Sequence, residues 1–271
     1  IEVQGNISGR GGIRKTGTGA ATLRGANTFS GGLDSGGGLL MVASAGAFGT
    51  ATTAGNGVIF SGGTLRYTGG ETLVNGFTIN SGAGKAAVID AQTDLAFSGT
   101  FGNTSGALIK RGTGTVALTV PASSSMTLTT GNGTEAANNS GSALTFPTDG
   151  IAPLSGFAGF TIAEGQVRIK GPSSATVNLP NSVYIGANCL TGTGTAALEV
   201  DGVKMTAGGG GKLVFVGPGT PSGSTMTNSL LRIVNGAVVT SDTIWMLRNA
   251  QKSVAELTVN GSTLNTTYEF G

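Results

Sequence analysis

The chain has 271 residues, of which 50 are glycine, 38% are hydrophobic and only 10% are charged. Glycine at about 18% (50/271), against an ordinary usage near 7%, excludes long helices, because each glycine costs about 1 kcal/mol in a helix relative to alanine. The hydrophobic fraction excludes disorder, which needs low hydrophobicity and high net charge, and the net charge of +2 is too small to draw in nucleic acid or an anionic membrane.

What remains between the glycines is a series of four- to six-residue segments of Val, Ile, Leu and Thr, short enough for strands and often alternating as half-buried strands do. The first unit is Ile13 to Leu23, where an apolar residue and Lys15 precede a Gly17-Thr18-Gly19 turn and a segment ending in Leu23. Gly38 to Val42 and Gly63 to Tyr67 follow, 25 positions apart (63 − 38). The first unit recurs at Leu108 to Leu118, with Lys110, Gly112, Gly114 and Leu118 each displaced by 95 positions (110 − 15). A third Gly-Thr-Gly, at Gly192 to Gly194, leads to Leu198.

From Pro121 to Gly156 large apolar residues thin out, which reads as a loop or boundary. Gly165 to Ile169 resumes the glycine-led form. The last third carries Val200-Asp201-Gly202, Val234-Asn235-Gly236 and Val259-Asn260-Gly261, whose Asp-Gly and Asn-Gly pairs supply positive φ at tight turns. The stretch Ala207 to Ser229, with its glycine and proline clusters, is expected outside the core.

Recurrence of short strand-turn-strand units is the mark of a stacked array. A sandwich or barrel also shows short, evenly spaced strands, and Asn-Gly turns suit hairpins. The recurring motifs at coil-like separation and the scarcity of charge favour a β-solenoid. About 23 residues per coil gives roughly a dozen coils and a rod of about 55 Å. The expected organisation is a solenoid over residues 1–120, an irregular segment over 121–156, and a continuing solenoid over 157–271. Leu23, Leu39, Met41, Leu65, Ile89, Leu118, Val167, Ile169, Leu198, Val200, Val234, Val259 and Leu264 are expected to point inward.

Chemistry-bearing residues are few. The chain has no histidine, which removes Ser-His-Asp triads and His-ligated metals. Cys189 is the only cysteine, so an intramolecular disulfide is excluded, and it reads as a small buried hydrophobe. Asp90 and Asp94 share a face if their segment is a strand, which makes a glycosidase pair or a calcium site conceivable; a solvated turn flanking a core strand is the strongly favoured reading. Glu199 and Asp201 share parity, with Asp201 placed as a turn residue. Gly31 to Asp34 misses the register of the calcium-binding nonapeptide, and Gly208 to Lys212 lacks the leading glycine and trailing Ser or Thr of a phosphate loop. Sequons at Asn103, Asn132 and Asn265 are of the number expected by chance. No residue is nominated as catalytic, cofactor-binding or metal-binding, no cofactor is implied, and the chain is not expected to be an enzyme. No run of 18 apolar residues offers a membrane-spanning helix. The opening at Ile1, without Met or leader, suggests a processed portion of a longer secreted precursor.

The segment Ile13 to Gly32 resembles the autotransporter-associated, or passenger-associated, β-strand repeat. Lys15, Gly17, Gly19, Leu23, Gly25, Ala26, Asn27, Thr28, Phe29, Ser30, Gly31 and Gly32 match that pattern in order. The copy at Leu108 keeps the turn but has Val120-Pro121-Ala122 where Gly-Ala-Asn belongs. The final third is similar to Val-x-Gly repeats of bacterial surface proteins. The resemblance implies a secreted, right-handed parallel β-helix at a bacterial cell surface, and no single activity; the family's outer-membrane barrel is absent from these residues. Repetition, low charge and the absence of catalytic residue types point to a structural extracellular protein, a subunit of a surface fibre, sheath or layer. The alternative is an autotransporter-type adhesin passenger fragment that binds a surface glycan or host ligand, and a third reading is a polysaccharide-degrading enzyme on a β-helix. Termini that look uncapped suggest head-to-tail self-association into a homopolymer.

Overall fold

The computed structural model describes residues 1–52, 57–79, 86–99, 107–127, 160–180, 182–186, 195–207, 213–217, 228–246 and 254–270. Every strand pairing among them is parallel, which settles the choice between hairpin-built sandwich and solenoid in favour of a parallel β-solenoid. The only helical turn among these residues is a 3-10 turn at Ala45–Phe48.

The chain winds past three faces. The first is a ladder of Glu2–Val3, Ala20–Leu23, Leu39–Val42, Thr64–Tyr67, Ala86–Ala91, Ala107–Arg111, Phe160–Ile162, Val183–Ile185 and Leu213–Val216, closed by the second halves of Val238–Met246 and Thr263–Phe270. Its eleven rungs span about 48 Å at about 4.8 Å per strand. The second face stacks Thr72–Leu73, Leu95–Phe97, Thr115–Thr119, Gly165–Lys170, Thr195–Asp201, Asn228–Val234 and Val254–Asn260. The third place in the coil is taken in the N-terminal half by Ile13–Lys15, Leu33–Ser35, Val58–Phe60 and Phe77–Ile79. In the C-terminal half it is taken by Ser125–Thr127, Thr176–Leu179, Lys204–Ala207 and the first halves of the two long strands. One coil advances the register by between 19 residues (Ala20 to Leu39) and 34 (Lys204 to Val238), except for one long coil that advances 52 on the first face (Ile109 to Thr161) and 51 on the second (Thr115 to Gln166) and at the third place (Ser125 to Thr176).

Corners are set by glycines where L side chains are strained. Gly202, Gly236 and Gly261 have φ of +75°, +75° and +57° and turn the chain from the second face to the third, as the Asp-Gly and Asn-Gly pairs foretell. The segment read as irregular, 121–156, contributes the strand Ser125–Thr127, which pairs with Thr176–Asn178; residues 128–156 lie outside the described residues. One expectation is corrected: within 207–229, Leu213–Val216 is a strand of the first face, with Val214 and Val216 buried. A four-residue apolar run is enough to fill a rung whatever the composition on either side.

Inward columns follow the register. On the second face one column runs Leu73, Phe97, Leu118, Ile169, Val200, Ile233, Val259, and its neighbour runs Leu95, Val116, Val167, Leu198, Leu231, Leu257. On the first face Leu40 lies over Leu65 and Ile89, and Val42 over Tyr67 and Ala91. Met41 does not point inward as expected: it lies in the outward column with Thr22 and Arg66. Leu39 shares that opposite parity, in the column with Ala20 and Thr64, yet it is buried, at 6% exposure. Leu39-Leu40-Met41-Val42 is apolar throughout, so composition alone left its parity open. Val234 also belongs to an outward column, between Asp201 and Asn260. Val259 and Leu264 keep the inward register, yet Val259 is 42% exposed because it stands on the last described rung of its face.

The corrected parity predicts opposite outcomes at adjacent positions. Leu40→Asp places an unpaired carboxylate in the core and lowers stability by several kcal/mol, whereas Met41→Glu, set beside Arg66, stays within about 0.5 kcal/mol of the parent. Urea midpoints of the two variants measure this; equal losses contradict the assignment.

Candidate functional site

The most conspicuous motif residues are absorbed by the scaffold. Lys15 Nζ donates to the carbonyls of Thr16, Gly17 and Gly37 at 2.9, 3.0 and 2.9 Å. Lys110 Nζ does the same to Arg111, Gly112 and Glu164 at 2.6, 2.7 and 3.1 Å. In each case two acceptors belong to the lysine's own turn, and the third precedes a positive-φ glycine of the next coil. A Cβ on Gly38 would meet the Lys15 nitrogen at 2.6 Å, and one on Gly165 the Lys110 nitrogen at 2.7 Å. The two copies occupy different corners: Lys15 leads into the first face, Lys110 from the first face into the second. Lys110 stands in an inward column between Ile89 and Ile162 and is 1% exposed. Burial pushes its ammonium down to about 8, against the opposing pull of Asp90, Glu164 and Asp94. Burial also lowers Lys15.

Asn27 is a second staple. Its Oδ1 accepts from the Ile7 amide at 2.8 Å and its Nδ2 donates to the Ala47 carbonyl at 2.9 Å, so one buried side chain ties three successive coils. Asn75, which the sequence does not single out, reaches the Gly49 and Ala51 carbonyls at 3.2 and 2.9 Å. A neighbouring coil's backbone closes on Gly25, where a Cβ would lie 2.3 Å from the Gly5 carbonyl oxygen.

Of the two carboxylate pairs, one is divided between separate partners and the other shares one. Asp90 is buried and takes Arg66 Nε at 2.7 Å and the Gln92 amide. Asp94 is exposed and accepts from the Thr115 amide at 2.8 Å. Glu199 and Asp201 converge on one cation: Arg168 Nε lies 2.9 Å from Glu199, and the guanidinium also bonds Asp201. Burial alone raises the Asp201 carboxyl, but hydrogen bonds from Asn235 and Arg168 outweigh it and hold the group below its ordinary value. Asp34, at the end of the glycine pair, bridges Arg14 at 3.0 Å. Cys189, Gly192 to Gly194, Gly208 to Lys212, Asn103 and Asn132 lie outside the described residues.

Binding space lies elsewhere, on the outer surface of the second face. There the outward column begins with Thr72, Ala96 and Ala117 and then changes to Arg168, Glu199 and Arg232. Small residues below large ones leave a step, and a cleft of about 380 Å³ fills it. Its floor is Ala96 and Ala117, with Glu71 and Asp94 at one end and Arg168, Lys170 and Glu199 at the other. A second cavity of about 250 Å³ shares Thr115 and Gln166 with the first and reaches Leu230 and Arg232. The two adjoin at Thr115 and Gln166, so that together they make a groove-like surface across successive coils, above strands hydrogen-bonded on both sides.

The comparisons with known proteins bear on what such a surface serves. The chain is 31% identical over 240 residues to the adhesin BmaC autotransporter of Brucella suis biovar 1 (strain 1330), a match covering 82% of this chain. The chain spans 7% of the length of that curated relative. No protein-family model matches the chain, and no solved structure does. Among the described residues no helix is long and apolar enough to cross a membrane.

Lys110 gives the site's neighbourhood a pH signature. Its folded value of about 8 lies below the ordinary lysine value of 10.5, so between those limits the unfolded chain binds more protons and stability rises with pH. The contribution is fully present above 10.5 and is lost as pH falls through about 8. Relative to Lys110→Met, the parent therefore gains stability from pH 8 to pH 10.5 in denaturant titrations. A flat or falling difference over that window contradicts the assignment.

Proposed function

We propose that this chain is a segment of a bacterial surface adhesin passenger, displayed outside the cell, and that it works by binding rather than by catalysis. The observation that carries this reading is the similarity to the BmaC autotransporter adhesin over most of the chain. Ile13 to Gly32, with its resemblance to the passenger-associated repeat, supports it, as does a solenoid whose outer surface offers a polar groove across several coils. Repetition by itself serves a fibre subunit as well as an adhesin; the description of the relative favours adhesion.

Beads coated with the purified chain test it on epithelial monolayers and on immobilised extracellular matrix. The expected result is retention several-fold above albumin-coated beads, suppressed by excess soluble monomeric chain. Retention equal to the albumin control on every surface contradicts the proposal.

A further inference from the structure

We infer that the groove on the second face binds an uncharged glycan chain lengthwise, one sugar unit per coil; the inference rests on the adhesin reading and adds the ligand class and its place. The groove excludes other ligands on physical grounds. Its floor strands are hydrogen-bonded on both sides, so no backbone edge is free to receive a peptide as an added strand. Its lining combines four carboxylates, Glu71, Asp94, Glu164 and Glu199, with three basic groups, Arg168, Lys170 and Arg232. Arg168 is already paired with Glu199 and Asp201. A polyanion such as nucleic acid or a sulfated polysaccharide gains nothing from this balance. Apolar lining is limited to Ala96, Ala117, Ala197, Leu95 and Leu230, too little for an acyl chain.

What the groove does present is a row of planar, forked hydrogen-bonding groups. Asp94, Gln166, Glu199 and Arg168 suit the adjacent hydroxyl pairs of a sugar ring, and Thr72 and Thr115 add single donors and acceptors. The lining groups sit on coils about 4.8 Å apart, with Thr72, Asp94 and Thr115 on three successive coils, Gln166 and Arg168 together on the fourth and Glu199 on the fifth. That spacing is close to the length of one pyranose unit in an extended chain, so consecutive sugars meet consecutive rungs. From Thr72 to Leu230 the groove crosses six rungs, or about 24 Å at that spacing, which accommodates about five units. No aromatic ring lines it, so recognition is by hydrogen bonds and weak per unit, and affinity must come from length.

The test is fluorescence polarisation with labelled, uncharged oligosaccharides of one to eight units from β-1,4-glucan, chitin, mannan, galactan and dextran series. Heparin oligomers serve as the charged control. At least one neutral series is expected to bind with affinity that climbs with length to about five units and then levels off, unchanged between 50 and 500 mM salt. Ala117→Trp, which fills the floor from outside without touching the core, should weaken that binding at least tenfold. Gln166→Ala should weaken it severalfold, and it carries the test alone if the tryptophan variant loses its parent-like circular dichroism. Absence of binding by every neutral series, binding only by heparin, or full binding by both variants overturns the inference. Bead adhesion separates the two readings. Cell adhesion that persists in Ala117→Trp removes the groove from the account and leaves the adhesin reading standing, whereas loss of adhesion by the parent removes the adhesin reading itself.

Discussion

In-register parallel stacking governs this molecule: along the described strands, side chains rest on the corresponding side chains of the neighbouring coil, about 4.8 Å away. Inward, the condition is met by apolar columns such as Leu73, Phe97, Leu118, Ile169, Val200 and Ile233. Outward, it restricts charge. Like charges at that distance repel by on the order of 1 to 3 kcal/mol, depending on the local dielectric, so charged residues must be rare or must alternate. Both occur. Only 10% of residues are charged, and the charged columns alternate in sign: Arg66, Asp90, Arg111 on the first face, and Arg168, Glu199, Arg232 on the second. Composition and geometry express one electrostatic constraint.

A second requirement arises at the corners, where ladder hydrogen bonding stops and backbone carbonyls still need partners. The solenoid answers with side chains that reach between coils. Lys15 and Lys110 each gather three carbonyls, and Asn27 and Asn75 span neighbouring turns. A buried ammonium is costly unless fully hydrogen-bonded, so the lysine turn tolerates only a close-packed neighbour. That explains why a positive-φ glycine, Gly38 or Gly165, follows in the next coil. The lysine and the glycine are two halves of one device, and its reuse at two different corners shows that it belongs to the turn and not to a face.

Much of this was legible in the sequence. The solenoid followed from the recurrence of Lys15-to-Leu23 at Lys110-to-Leu118, and the Asp-Gly and Asn-Gly corners followed from turn chemistry. Parity was legible where apolar and polar residues alternate, as in Gly165 to Lys170, and not in Leu39 to Val42, where every residue is apolar and only the partner strand fixes which side chains face inward. The groove was not legible at all. Glu71, Asp94, Ala117, Gln166 and Glu199 become neighbours through coil lengths that vary from 21 to 51 residues on that face (Leu95 to Val116, Thr115 to Gln166). No fixed spacing in the chain announces that adjacency. The same irregularity hid Leu213–Val216 within a stretch that reads as loop.

The stacking register is the claim on which the columns, the corners and the groove all depend, and a spin-label ruler along the second face tests it. Ala96, Ala117, Arg168, Glu199, Arg232 and Thr258 occupy one outward column. In a Cys189→Ser background, label pairs at Ala117 with Arg232 and at Ala96 with Thr258 stand three and five spacings apart. Pulsed electron-electron resonance should return single narrow distributions near about 14 and about 24 Å, in the ratio of the rungs. Broad distributions, or distances out of that ratio, contradict the register and with it the account.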